Sequence, residues 1–333
     1  MRLSKAYDRI VAVFLVTLAI GGWIAPQSVC AQEKVAYRLK WLVNASTAGD
    51  VLAAKLGLFA DAGLEVAVKA GGPERDAIRE LELGYAQFGV ASADQVIRAL
   101  SKGAAVVVLA QLFQVNPLQW IYRTRDGPLE KIADLAGRTV GITYGGNDET
   151  IMRALLASAG LDENQVHLAS VRYDYTPFLN GSVPIWPVYR NTQGIYLTDK
   201  LAEGNEPVAF FNPSDHGIRF VANSVVTSKK MIDQHPQVVT RFVRALLAGW
   251  RAAMAPANEA AVLEALAAYD QDTSPEVMRR QLAATRTMVQ PDPAIPLGRV
   301  DQAAWRQTEQ IMVAQQLIPG PVDVIKRIVP PQP

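Results

Sequence analysis

The 333-residue chain is poor in the side chains that carry covalent and metal chemistry: one cysteine, Cys30, and three histidines, His167, His216 and His235. A lone thiol forms neither an internal disulfide nor a cysteine-ligated zinc site. No histidine stands in a His-Glu-x-x-His spacing and no Gly-x-Ser-x-Gly turn presents a nucleophile, so hydrolytic machinery is missing. Neither Gly-x-x-x-x-Gly-Lys-[Ser/Thr] nor Gly-x-Gly-x-x-Gly occurs, which removes the phosphate cradles of nucleotide hydrolysis and dinucleotide binding. No basic run gives a footprint for nucleic acid. An enzyme, a metal site and a cofactor are therefore not expected. The adjacent Asp215-His216 reads as an Asx turn rather than an acid/base pair, because Asn, Pro and Gly surround it.

Long apolar runs are equally scarce. The longest, Val11 to Ile24, follows Arg2, Lys5 and Arg9 and precedes the small-residue site Val29-Cys30-Ala31. It is shorter than the roughly 20 residues a spanning helix needs, so residues 1–31 read as a cleaved signal peptide. A mature chain in the periplasm, not inserted in the membrane, is the expectation. Gln27-Ser28-Val29 is unlike the Leu-Ala-Gly of a lipobox, which argues for cleavage after Ala31 over acylation at Cys30. Cleavage removes three of 33 basic and one of 32 acidic residues, leaving 30 against 31 and a net charge of about −1.

What is present is an alternation of strand-like and helical stretches at 50% hydrophobic composition, with a length that favours two domains. Val66-Ala67-Val68, Phe88-Gly89-Val90 and 104–111 read as buried strands, with helices over 76–83 and 93–101. A second set begins at Trp120-Ile121-Tyr122, continues through 138–142 and reaches 208–211, with helices over 149–159 and about 191–203. From Lys229 the chain turns helical, notably over 238–255 and 258–269. Alternation of this kind predicts an α/β fold with mostly parallel sheet. Chain crossings between the two sets fall at 113–117 and 212–219, where Asn, Pro and Gly interrupt regular structure. Only the last four residues, rich in proline, read as disordered.

The order of short motifs adds a resemblance. Trp41-Leu42-Val43-Asn44 after the first strand, Gly57-Leu58-Phe59, Gly63-Leu64-Glu65-Val66, Gly71-Gly72-Pro73 and Gln87-Phe88-Gly89-Val90-Ala91-Ser92 follow one another. Gly145-Gly146-Asn147, Trp186-Pro187-Val188-Tyr189 and Arg244-Ala245-Leu246-Leu247-Ala248-Gly249-Trp250 come next. Together they resemble the SsuA/THI5-like solute-binding proteins of ABC importers over nearly the whole mature chain. The resemblance implies a two-lobed type II periplasmic-binding-protein fold with two hinge crossings. Lobe 1 would comprise 32–115 and 217–333, and lobe 2 residues 116–216. It also implies a monomer that delivers a small solute to an ABC permease and its ATPase subunits. The family's synthase branch uses a cofactor-binding Lys and a substrate His; the matching positions here are Ala91 and Gln95, and the cysteine cluster is missing.

In open α/β sheets ligands sit beyond the carboxyl ends of strands, which selects the loops after residues 41, 91, 112, 143 and 188. Trp41 and Asn44 follow the first strand, in a loop where the resembled family places ligand contacts. Ser92 and Asp94 either reach a ligand or cap the following helix. Gln111, with Phe113 and Gln114, approaches the first crossing. Asn147 opens a helix, and Asp148 and Glu149 in its first turn complement the helix dipole but repel an anion. Such repulsion at low dielectric outweighs a hydrogen bond or two, so an amino-substituted ring donating to Glu149 is favoured over a sulfonate or nitrate. Tyr189 suits stacking on a flat ring. Arg190 is the residue that would serve an anion if it pointed inward. Trp250 and Trp305 read as core. The expected ligand is a thiamine-precursor-like pyrimidine; the alternative is an alkanesulfonate, taurine or nitrate.

Overall fold

The computed structural model describes residues 32–72, 75–172 and 174–329; the expected signal peptide with Cys30, Pro73 of the expected turn and the last four residues lie outside them. Ten strands form among the described residues: β1 Glu33–Arg38, β2 Leu64–Lys69, β3 Phe88–Ala91, β4 Val106–Gln111, β5 Leu118–Arg123, β6 Thr139–Ile142, β7 His167–Ser170, β8 Ile185–Tyr189, β9 Val208–Phe211 and β10 Ser224–Ser228. The α-helices among the described residues are α1 Ala48–Lys55, α2 Leu58–Asp61, α3 Ala77–Leu83, α4 Ala93–Ser101, α5 Asn147–Ser158, α6 Thr176–Leu179, α7 Gln193–Ala202, α8 Lys229–Gln234, α9 Pro236–Met254, α10 Glu259–Ala267, α11 Pro275–Val289 and α12 Gln302–Ala314.

The strands form two five-stranded sheets, ordered β2-β1-β3-β10-β4 and β7-β6-β8-β5-β9. The chain passes from the first to the second between β4 and β5 and returns between β9 and β10. The expected mostly parallel sheet is not what forms. β1 pairs parallel with β2 and β3, and β6 with β7 and β8, but β10 is antiparallel to β3 and β4, and β5 to β8 and β9. The cause is topological. A strand arriving from the other sheet starts at the end where its new neighbours stop, so it runs against them.

Sequence pattern explains most elements. β4 and β5 are buried at every position, the signature of strands covered on both faces. β4 nonetheless lies at a sheet edge. Its exposed backbone is closed by the C-terminal segment, through Val329 N–H to Val108 O at 2.9 Å and Gln111 N–H to Gly298 O at 3.1 Å. In α9 the buried residues Val239, Phe242, Val243, Leu246, Trp250 and Ala253 recur at helical spacing, one apolar face toward the sheet. Phe242 stacks on Phe88 with centroids 3.7 Å apart and meets Tyr37 edge-on at 5.1 Å. Trp250 and Trp305 are fully buried, as expected.

α1 and α9 pack with a glycine from each at the contact. A Cβ on Gly49 would lie 2.2 Å from the Trp250 ring, and one on Gly249 would lie 2.4 Å from Ala53 Cβ. The second crossing contains the expected Asx turn, but Asn212 makes it: its Oδ1 accepts from Ser214 N–H at 3.2 Å and its amide donates to Asp215 at 3.0 Å. His216 stacks on Phe211 instead of pairing with Asp215.

Candidate functional site

The loops after β1, β6 and β8 and the residues before β10 enclose a cavity of about 250 Å³. Trp41, Asn44, Ser46, Thr47 and Asp50 come from the β1 side, Thr143, Asn147 and Asp148 from the start of α5, and Trp186 through Tyr189 from β8. Tyr175 and Asn223 complete the wall. Tyr175 and Trp186 meet edge-to-face with centroids 6.3 Å apart, so one side of the cavity is aromatic. The Trp41 loop is held by Asn44, whose Oδ1 accepts from Ser46 N–H at 2.8 Å while Thr47 Oγ1 accepts from Asn44 N–H at 3.3 Å.

Two carboxylates line this space and both are displaced from ordinary behaviour. Asp50, 1% exposed on α1, accepts a 2.5 Å hydrogen bond from the Tyr37 hydroxyl. Burial pushes its pKa up to about 7, the Tyr37 bond opposing the rise. Burial, with Asp50 opposite, also holds the Tyr37 hydroxyl well above its usual range, so the phenol keeps its proton and donates. Asp148 is buried at the first turn of α5, where Thr143 N–H donates to it at 2.6 Å; desolvation raises its pKa against that bond.

Across the mouth, Lys40 Nζ donates to the Tyr189 hydroxyl at 3.1 Å, joining the loop after β1 to the end of β8. Burial works against the Lys40 charge, but Coulombic attraction to Tyr189 and Asp94 and the bond to Tyr189 hold its pKa above the ordinary lysine value. Deeper, Asn191 Nδ2 donates to Ser46 Oγ at 2.9 Å and to Thr285 Oγ1 at 2.8 Å. The two crossings are clasped by Leu112 N–H donating to Asn223 O at 2.9 Å.

Of the residues singled out from sequence, Trp41, Asn44, Asn147 and Tyr189 line this cavity. Ser92 and Asp94 line a second cavity of about 640 Å³, which shares Lys40 and Asn147 with the first. Ser92 also caps α4 in a capping box with Gln95. The other three are turned elsewhere. Gln111 spends both ends of its amide within the first sheet's surroundings, donating to Phe113 O at 2.9 Å and accepting from Asp301 N–H at 3.0 Å. Glu149 accepts from Gly145 N–H at 2.7 Å and pairs with Arg153 at 3.0 Å, so it braces the turn before α5 while Asp148 faces the cavity. Arg190 is exposed and its guanidinium lies 4.6 Å from the Phe210 ring, away from any anion in the cleft.

Lys40, Asp50, Tyr175 and Asn223 were not reachable by strand-end reasoning alone. Asp50 does leave a trace: an acid inside the apolar stretch Ala48-Gly49-Asp50-Val51-Leu52-Ala53. No group of three or more His, Cys, Asp or Glu side chains suited to a metal ion occurs among the described residues. No helix among them is long and apolar enough to cross a membrane.

The pattern of the family described as NMT1/THI5 like matches residues 44–260. The riboflavin-binding protein RibY of Chloroflexus aurantiacus is 27% identical over 322 residues, covering 90% of this chain and 86% of its own. The formylaminopyrimidine-binding protein of Halalkalibacterium halodurans is 25% identical over 300 residues, covering 88% of each. Among solved structures, the periplasmic aliphatic sulphonate binding protein SsuA of Escherichia coli superposes with a TM-score of 0.69 at 18% identity, over 90% of this chain and 93% of that one. At that identity the likeness concerns the fold alone: two sheets joined by two crossings are the two-lobed periplasmic-binding-protein architecture anticipated from the sequence.

Proposed function

The chain belongs to the NMT1/THI5-like family, and from that premise we propose that it is the periplasmic solute-capturing subunit of an ABC importer, binding a flat, amino- or imino-bearing heteroaromatic solute between its lobes. The carrying observation is the pairing of an aromatic wall, Tyr175, Trp186 and Tyr189, with the buried acceptor Asp50 in one cavity. An aromatic wall favours a ring, adding about 0.5–1.5 kcal/mol per stacked pair beyond buried area. A buried carboxylate favours a ring that donates hydrogen bonds. Formylaminopyrimidine and riboflavin, named for the two relatives, both have a flat ring with N–H donors.

The sulfonate or nitrate alternative loses its cationic partner, since Arg190 stacks on Phe210. Lys40 and Arg172 remain at the cavity, but Asp50 and Asp148 oppose an anion there. Binding rather than catalysis is supported by the two relatives, both named as binding proteins. Closure works by population shift: Lys40 to Tyr189 and Asn191 to Ser46 span the two lobes, and a ligand held from both sides favours the shut form offered to the permease and ATPase.

Thermal-shift measurement on the mature protein, refolded to strip carried-over solute, tests the class. An aminopyrimidine or a flavin at 100 Kd is expected to add about 2.7 kcal/mol of stability, with taurine, alkanesulfonates and nitrate inert. A response confined to the anions would overturn the reading. Within the site, Tyr189→Ala is expected to weaken binding at least tenfold, whereas Glu149→Gln leaves affinity unchanged because Glu149 serves Gly145 and Arg153. Isothermal titration of both variants decides; equal losses would place Glu149 back in the cleft.

A further inference from the structure

We propose that Asp199 and Arg280 are positioning residues for solute capture: without touching the solute they hold the two lobes together, so that part of the population is shut before solute arrives. The proposal rests on capture between the lobes and not on which solute is captured.

α7 and α11 belong to different sheets. Leu197 and Leu201 of α7 are buried with Trp186 and Val188 of the second sheet, and Leu282 and Val289 of α11 with Phe88 and Leu109 of the first. The two helices nonetheless meet directly. Arg280 donates to Asp199 through two parallel bonds, Nη1 to Oδ1 at 2.7 Å and Nη2 to Oδ2 at 2.5 Å. The Arg280 hydrogen bond holds the Asp199 carboxyl below the usual carboxylate range. Neither residue lines the inner cavity. Nearer the cavity the same seam is joined by Asn191, fully buried, whose Nδ2 reaches Ser46 in the cavity wall and Thr285 on α11.

The place of the pair relative to the first crossing decides what it does. Arg190 N–H donates to Pro117 O at 2.8 Å, and Gln114 and Val115 N–H donate to Met288 O at 2.9 and 3.0 Å. The approach to α7 and the end of α11 are therefore both tied to that crossing, while Arg280 stands about two turns along α11 from the tie. A swing of one lobe about the crossings shifts α7 against α11 there. Two parallel N–H···O bonds need one fixed geometry and are lost on a small shift. The pair thus favours the shut form over open ones, which is the differential contact a population shift requires. Asn191 limits the effect, because its Oδ1 is buried without a partner and gains one from water when the seam parts. The shut form is favoured without being fixed, and solute can still leave.

The side chains of Arg280 and Asp199 are 44% and 37% exposed, so the pair carries the weight of a surface pair, about threefold in the ratio of shut to open. That ratio feeds into affinity, since apparent binding weakens by the fraction of molecules not in the competent form.

Residues 32–333 contain no cysteine, so spin labels at Lys102→Cys and Tyr144→Cys report a single gap, between the end of α4 and the loop after β6. In protein stripped of solute, pulsed electron paramagnetic resonance is expected to show a short distance matching this structure beside a longer one. Arg280→Ala is expected to lower the ratio of short to long about threefold, and the exchange Asp199→Arg with Arg280→Asp to restore it. Only the longer distance in the wild type, or a ratio unchanged in Arg280→Ala, overturns the proposal. A larger short population in Arg280→Ala also overturns it, in favour of a seam that props the lobes open. Isothermal titration with 4-amino-5-hydroxymethyl-2-methylpyrimidine is expected to show a Kd raised by up to about threefold in Arg280→Ala and recovered in the exchange. An unchanged Kd removes the positioning role. The distances are read without solute, so failure of this pyrimidine to bind any of the proteins counts against the heteroaromatic reading alone.

Discussion

Asparagine at position 50 is expected to make the protein more stable at neutral pH and a weaker binder of its solute. Asp50 is the buried acid whose pKa rises from 3.8 to about 7 in the folded chain, burial being the dominant cause. A carboxyl that resists ionisation when folded destabilises the fold wherever the unfolded chain has already ionised. The unfolded state binds fewer protons than the folded one between about pH 4 and 7, so stability falls as pH rises through that window. At about 1.4 kcal/mol per unit, the gap amounts to roughly 4 kcal/mol as an upper bound above pH 7 and vanishes below pH 4. The amide carries no such penalty, and its oxygen still accepts from Tyr37. Urea unfolding of the wild type and Asp50→Asn between pH 4 and 8 is expected to show curves that converge in acid and separate toward neutrality. A constant offset would mean that Asp50 does not titrate between folded and unfolded states. For the solute the sign reverses. A charge-assisted hydrogen bond is roughly twice as strong as a neutral one, so Asp50→Asn should lose about tenfold in affinity. Wild-type affinity should rise with pH through about 7, and that rise should be absent in the variant.

Stability given up at Asp50 is the behaviour expected of a binding site. Local rules agree along most of this chain, and the places where they fail are informative. The helices over 93–101 and 238–255 were legible because apolar residues recur at helical spacing, with the capping residue Ser92 before the first and Pro236 opening the second. β7 was not, because His167-Leu168-Ala169-Ser170 lies at an edge with both ends exposed and carries no alternating pattern. β10 was missed because five residues that adjoin a helix give a short signal. The antiparallel direction of β5 and β10 depends on which sheet the chain comes from, a fact no window of sequence contains. At the site, strand-end reasoning reached Trp41, Asn44, Asn147 and Tyr189 because the loops expected after residues 41, 143 and 188 fall close to the ends of β1, β6 and β8. It chose Glu149 over Asp148 because adjacent helical residues differ by about 100° in direction, and that rotation is set by the cap. The cap is Gly146, so Asn147 stands at the first helical position and Asp148 at the second. Asp50 was not singled out because its partner, Tyr37, stands on β1 and its burial is supplied by α9, far along the sequence.

That burial depends on glycine, and Gly49→Ala is expected to cost about 3 kcal/mol or more of stability, with a matching loss of solute binding. Local propensity predicts the opposite sign: alanine in a helix interior is favoured over glycine by up to about 1 kcal/mol. Packing decides, because a Cβ at position 49 would lie 2.2 Å from two atoms of the Trp250 ring and 2.6 Å from Trp250 Cα. A ring can rotate, but a backbone atom at 2.6 Å moves only if the helix moves. Gly249 leaves α9 no room to slide, since its own position is 2.7 Å from Gly49 O and 2.8 Å from Ala53 Cα when a Cβ is placed there. Overpacking a tight core costs about 1–3 kcal/mol when side chains alone adjust, and separating two helices lies beyond that range. The same displacement carries Asp50 and the Asn44 to Thr47 turn with it, which ties fold and site together at one contact. Gly57→Ala supplies the contrast. That residue has φ of 72° but no atom within 4 Å of an added Cβ, so the cost is the left-handed strain alone, about 1–2 kcal/mol, with the cavity untouched. Urea unfolding and titration of both variants separate the two cases. A stabilised Gly49→Ala protein would show that α1 and α9 are not in backbone contact, and would remove the explanation given for the burial of Asp50.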